Sequence, residues 1–224
     1  MNGFFIPHLE ILPIEQKALL PQLNPLVSFG YVLYGGTAVA LQLGHRASVD
    51  FDFFTERQLD IKSLYSTLPL LKFATVLQQQ ADGLTVLHEN SNGLGAVKLS
   101  FFGGIDFGRV GEPQFTEGGV LLVASLEDLL ATKLKVLLQR VEAKDYQDIA
   151  ATLNAGMKLE NGLAAARALF GKEFQPSESL KALTYFQGGD LSTLSVEERR
   201  LLVEEVEKVR QLPIINRISN KLSN

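Results

Sequence analysis

Asp50 and Asp52 are the residues of this sequence best placed to do chemistry. A strand repeats every two residues, so the pair shares one face while Val49, Phe51 and Phe53 point to the other. Two carboxylates on one face repel each other and are costly to bury unless a cation or several donors compensate. Mg2+ takes oxygen ligands and keeps sites for water and phosphate, which suits such a pair. The plain alternative is the solvent-facing polar edge of a half-buried strand. The residues just before the pair weigh against it. Val32-Leu33-Tyr34 reads as a buried strand, Gly35-Gly36 as a turn, and Thr37 as the cap of an apolar helix from Ala38 to Leu43. Glycines between a strand and a helix let backbone N–H groups approach a phosphate with no side chain in the way. Arg46 follows, and two roles are open to it: contacting a phosphate or bracing the aspartates.

Taken together, Gly35-Gly36-Thr37, Leu43-Gly44-His45-Arg46 and Ser48-x-Asp50-x-Asp52-Phe53-Phe54 resemble the signature of the AbiEii-type nucleotidyltransferases. These are toxins of abortive-infection and toxin–antitoxin systems, within the DNA polymerase β-like nucleotidyltransferase superfamily. The resemblance covers motifs from about Val32 to Ile149. It implies an α/β (α+β) fold, a mixed-sheet nucleotidyltransferase core followed by a C-terminal helical domain. It implies transfer of a nucleoside monophosphate from a nucleoside triphosphate to a hydroxyl, on RNA such as a tRNA end or on a protein. Mg2+ held by Asp50 and Asp52, and a cognate antitoxin, come with it.

The same plan implies a third acidic residue, on a strand antiparallel to the one that carries Asp50 and Asp52. Here that stretch is Val97-Lys98-Leu99-Ser100-Phe101-Phe102, and Ser100 stands about where the carboxylate is expected. Three carboxylates suit two divalent cations, whereas two beside an ammonium hold a second cation poorly. Lys98 can neutralise the aspartates, contact a phosphate, or reach solvent. Two functional readings therefore stand: an active Mg-dependent transferase, and a degenerate relative that binds nucleotide or a protein partner. A weaker third is an interaction protein that acts through its C-terminal helices.

The elements around this motif follow from pattern. Pro13 to Leu23 and Leu59 to Leu68 read as helices. Phe73 to Gln80 and Leu84 to Glu89 read as a hairpin around Asp82-Gly83, and Gly95 to Phe102 as a third strand after an Asn92-Gly93 turn. The glycine-rich stretch from Gly103 to Gly119 reads as loop or as an edge hairpin near Ile105 to Val110. It carries Asp106 and Glu112, which no spacing selects as ligands. Val120 to Val123 is a last short strand, giving an expected boundary between domains 1–124 and 125–224.

Ser125 and Asp128 then open a helix with a capping signature. On a wheel of about 100° per residue, Lys133 and Arg140 both fall in its leucine stripe. Two cations on one apolar line call for a shared anion, either a triphosphate or carboxylates. The resemblance implies that Lys133 binds the nucleotide's phosphates, with Arg140 at a matching basic position. It also implies a functional role for Asp145 in Lys144-Asp145-Tyr146-Gln147-Asp148-Ile149. Pairing with Lys133, Arg140 or the site is the preferred reading for Asp145, whereas Asp148 reads as a dipole complement of its helix. Asn161 to Asn224 reads as three helices separated near Gly171 to Pro176 and Gly188-Gly189, one opened by a Ser195–Glu198 capping box.

Composition bounds the rest. A chain of 224 residues that is 46% hydrophobic holds a sizeable core and a smaller second one. A net charge of -4 argues against a general nucleic-acid binder. The chain has no cysteine, which removes disulfides and thiolate zinc sites. The opening MNGFFIPHLEILP lacks a basic region before a long apolar run, and no segment reaches a membrane-spanning length, so a cytoplasmic protein is expected.

Overall fold

The computed structural model describes residues 3–89 and 95–223, and the Asn92-Gly93 turn lies outside them. The chain divides into two compact units. The first holds Met1–Gly108, Glu112–Ser125 and Ser219–Asn224; the second holds Arg109–Gly111 and Leu126–Ile218.

In chain order the first unit contains β1 (Phe4–Phe5), α1 (Ile14–Leu23), α2 (Pro25–Ser28), β2 (Val32–Tyr34), α3 (Gly35–Leu43), β3 (Asp50–Phe54) and α4 (Ile61–Thr67). It continues with β4 (Thr75–Gln79), β5 (Gly83–Glu89), β6 (Ala96–Phe102), β7 (Gln114–Thr116) and β8 (Leu122–Val123). Among the described residues these strands form one mixed sheet in the order β1-β7-β8-β2-β3-β6-β5-β4. One face of it is core. Phe51 and Phe53 of β3, Leu99 and Phe101 of β6, and Leu84 and Val86 of β5 are all buried, and Phe53 stacks on Phe101 at 5.7 Å. Strand alternation turns Asp50, Asp52, Lys98, Ser100 and Thr85 to the other face. The apolar helix read after Gly36 is the buried α3, in which residues from Thr37 to Leu41 are almost without exposure.

Three expectations for this unit change. β3 and β6 run parallel, not antiparallel, with Asp50 beside Lys98 and Asp52 beside Ser100. The strand between Gly103 and Gly119 is not a hairpin at Ile105 to Val110 but β7, which pairs parallel with β1 and antiparallel with β8. The described chain after Lys208 is not helical, and Leu222 N–H and Ser223 Oγ donate to the Glu56 carboxylate at 3.2 and 3.4 Å.

The second unit contains α5 (Leu126–Val136), α6 (Ala143–Asn154), α7 (Leu159–Phe170), α8 (Pro176–Thr184) and α9 (Val196–Lys208). The capping box at α9 forms: Glu198 N–H donates to Ser195 Oγ at 3.1 Å and Ser195 N–H to the Glu198 carboxylate at 2.7 Å. At α5, Asp128 accepts from Val110 and Gly111 N–H groups at 2.8 and 3.3 Å, which fixes the 109–111 segment to this unit. The α5–α7 crossing depends on Gly162, where an added Cβ would lie 2.5 Å from Leu130 Cδ2 and 2.6 Å from its Cγ. Gly162→Ala is therefore expected to lower stability by about 1–3 kcal/mol through overpacking, despite the better helix propensity of alanine. Urea denaturation followed by far-ultraviolet dichroism checks this, and a neutral or stabilising result would refute the close approach.

Among the described residues, no helix is long and apolar enough to cross a membrane.

Candidate active site

In the first unit, the site is assembled where β2 turns into α3 beside β3. Tyr34 is in register with Asp52, so the next residue must pass directly by that carboxylate. Gly35 does so with φ +74°, a left-handed conformation that glycine adopts without strain. A Cβ at Gly35 would stand 2.4 Å from Asp52 Oδ2. The residue thus has to be glycine twice over, for its backbone and for the room it leaves. The result sets the Asp52 carboxylate against the first residue of α3, where the helix carries its positive end.

Thr37 does not cap the helix as expected. α3 begins at Gly35 with Tyr34 as its N-cap and no side-chain cap bond. Thr37 is buried, its hydroxyl bonded to Ser48 Oγ at 2.7 Å and to the Asp50 carbonyl. Its role is to tie the helix's first turn to the start of β3. Arg46 is half-buried, and its Nη1 donates to the Ala47 carbonyl at 3.0 Å.

Lys98 faces the aspartate pair. Its ammonium lies 2.8 Å from Asp50 Oδ2, with both side chains partly exposed. Ser100 is buried at the position level with Asp52. Among the described residues no group of three or more His, Cys, Asp or Glu side chains is placed to hold a metal, and neither Asp106 nor Glu112 completes one. The donor set here is two carboxylates, one of which already meets an ammonium. That set fits a single Mg2+ that takes its remaining ligands from water and phosphate, because Mg2+ is usually bound through one or two carboxylates. It does not fit two metal ions.

The second unit brings together Lys133, Arg140, Asp145 and Asp148. Lys133, 5% exposed, places its Nζ 2.7 Å from Asp145 Oδ1 and 2.5 Å from Asp148 Oδ2. Arg140 grips Asp145 from the other side, with Nε 2.8 Å from Oδ2 and Nη2 3.0 Å from Oδ1. The shared anion of the two cations is therefore Asp145. Arg140 does not reach it along a helix, since α5 ends at Val136 and Arg140 lies in the following turn. Asp148 is no surface dipole complement either, because both aspartates are fully buried. Its assignment failed because the counter-charge comes from a different helix. The signal that was available is the spacing: Asp145 and Asp148, three apart on α6, are neighbours on the helix surface, and the buried Ile149, four after Asp145, lies on the same side as Asp145. Lys133, for which a phosphate role is implied, here has its ammonium closed between two carboxylates.

Burial by itself would raise the Asp145 carboxyl, but the Arg140 and Lys133 contacts outweigh it and hold the group below its ordinary value of 3.8. Burial, then the charge of Asp145, pushes the Tyr146 hydroxyl up. A depressed carboxyl contributes stability that is complete above its unfolded value and is lost as pH falls through the folded one. Stability is thus expected to decline below about pH 4, and Asp145→Asn should remove that part of the decline. Thermal melts of both proteins from neutral pH downward read this; parallel curves would show that Asp145 is not the group responsible.

A family profile described as nucleotidyl transferase AbiEii toxin, type IV toxin–antitoxin system, matches residues 27–205, a span that takes in both groups of side chains. The chain belongs to this AbiEii family. An uncharacterized protein of Aquifex aeolicus (strain VF5) is 32% identical over 133 residues, which is 57% of this chain and 61% of that relative. This AbiEii-family chain also matches the fold of JHP933 from Helicobacter pylori, with TM-score 0.56, 19% identity, and coverage of 86% of this chain and 88% of that one. MenT4, a nucleotidyltransferase toxin from Mycobacterium tuberculosis H37Rv, gives TM-score 0.50 and 14% identity, covering 86% and 89%.

Proposed function

We propose that this AbiEii-family chain transfers a nucleoside monophosphate from a nucleoside triphosphate to an acceptor hydroxyl, on RNA such as a tRNA end or on a protein, as the toxin of a system with a cognate antitoxin. The observation that carries this reading is the approach of Gly35, at the head of α3, to the carboxylate of Asp52. It joins a phosphate-binding backbone to a metal-binding acid at one point. In the transfer, the acceptor oxygen forms a bond to the α-phosphorus, the bond from that phosphorus to the bridging oxygen breaks, pyrophosphate leaves, and the hydroxyl proton is released. Backbone N–H groups at Gly35 to Thr37 hold phosphate oxygens. Asp50 and Asp52 would hold Mg2+, which when bound neutralises charge that builds up in the in-line displacement. Lys98 keeps part of the negative charge of Asp50 in check before the nucleotide arrives.

A second reading, nucleotide binding without transfer, is favoured by one observation: the neutral Ser100 stands level with Asp52 where a third carboxylate is expected. One experiment addresses both. Calorimetric titration with each nucleoside triphosphate, with and without Mg2+, is expected to give metal-dependent binding in the wild type and none in Asp50→Asn/Asp52→Asn. Label from an α-labelled triphosphate should then enter RNA or protein. Binding without incorporation would favour the second reading, and no binding of any triphosphate would sink both.

A further inference from the structure

We propose that a groove on the carboxylate-bearing face of the sheet takes a nucleobase, an inference that rests on the transferase reading above. Register defines the face. Asp52 on β3 stands beside Ser100 on β6, Ser100 beside Thr85 on β5, and Thr85 beside Gln78 on β4, the last pairing set by a bulge between Val76 and Gln78. In the next row Phe54 stands beside Phe102, and Phe102 beside Gly83. All lie opposite the buried face of Phe53, Phe101 and Leu84. The row that begins at Asp52 thus runs into a groove of about 260 Å³ lined by Gln78, Gln80, Asp82, Thr85, Phe102 and Ile105. With strands about 4.8 Å apart, Thr85 is roughly 10 Å from Asp52, within reach of the nucleoside whose phosphate or hydroxyl reacts there.

The lining selects the ligand's chemistry. It contains no lysine or arginine and one carboxylate, so it repels phosphate and favours a neutral group. Each glutamine carboxamide presents both donors and an acceptor, as the edge of a base does, and glutamine pairs well with adenine. Phe102 supplies a ring for stacking, its plane fixed by Phe54 at 5.2 Å and 80°. Gly83, across from Phe102, puts no side chain over that ring, whereas an added Cβ there would sit 3.8 Å from it. The volume falls just below the ordinary range of ligand pockets, about 300–1,000 Å³, and so suits one ring system rather than a whole nucleotide. The base is that of the triphosphate or of the acceptor RNA's reacting end.

Calorimetric titration of the full chain tests this, with the four nucleoside triphosphates in Mg2+ and with a single-stranded RNA hexamer of mixed sequence. The variants are Gln78→Ala/Gln80→Ala, whose side chains are exposed and dispensable for folding, and Phe102→Leu. Binding about tenfold weaker is expected, for the triphosphates if the donor base occupies the groove and for the hexamer if the acceptor base does. Either loss, in a variant that melts as the wild type does, supports the proposal. Binding of both probes within twofold of wild type in both variants overturns it. In that case a retained loss in Asp50→Asn/Asp52→Asn leaves the transferase reading standing, whereas a wild type that binds neither probe defeats both.

Discussion

Asp52→Asn is expected to lower nucleotidyl transfer by about a thousandfold or more while the protein stays folded. The size follows from position. Asp52 is the carboxylate set against the first residue of α3, so it is the acid nearest the proposed phosphate cradle. A metal ligand that helps neutralise the transition state is worth several kcal/mol, and each 1.36 kcal/mol is tenfold in rate. Asparagine keeps the shape and takes away the charge. The fold should tolerate this, because the side chain is only half-buried and the packed face of β3 is formed by Phe51 and Phe53. Gly35→Ala is the companion test. It keeps both carboxylates but forces a Cβ to within 2.4 Å of Asp52 Oδ2 at a φ of +74°, so activity should fall through geometry alone. The measurement is incorporation of α-labelled nucleotide into RNA and protein. An Asp52→Asn protein that retained transfer within threefold of wild type would remove the residue from the mechanism.

The parts of this site that were legible in the sequence are local ones. Strand alternation put Asp50 and Asp52 on one face and Lys98 and Ser100 on one face of their own strand, and both hold in the sheet. The apolar helix after β2 was legible from its run of apolar residues, but Gly35-Gly36 is not a turn: β2 passes straight into α3, and the two glycines are its first residues. What alternation does not contain is direction. Whether β6 runs parallel or antiparallel to β3 depends on β4 and β5, which intervene between them in the chain and are laid down outside β6 in the sheet. The two-residue β1 is too short to have a period, and its pairing with β7 is a contact across more than a hundred residues. Thr37 shows competition between local and distant partners: a threonine near a helix start is a fair cap, but Ser48 and the Asp50 carbonyl offered a buried alternative. Asp148 failed for a related reason, since its nearest cation sits on α5 and not on its own helix.

Lys133→Met should destabilise the helical unit by about 3–5 kcal/mol, the usual result of removing one partner from a buried ion pair. Methionine fills nearly the same space, so lost packing is not the cause. The ammonium that lies 2.7 Å from Asp145 and 2.5 Å from Asp148 disappears, and two fully buried carboxylates then face each other with one less positive charge. Arg140 still holds Asp145 with two hydrogen bonds, so Asp145 keeps a counter-charge of its own. It follows that Lys133→Met/Asp148→Asn should be more stable than Lys133→Met, because neutralising Asp148 restores the balance of charge. Lys133→Met/Asp145→Asn should recover less, since it leaves Arg140 without its buried carboxylate partner. Urea denaturation read by helical dichroism orders the three variants. A single variant within 1 kcal/mol of wild type, or a double variant less stable than the single, would mean that Lys133 does not hold this unit together. Its charge would then have to be explained by a ligand instead of by Asp145 and Asp148.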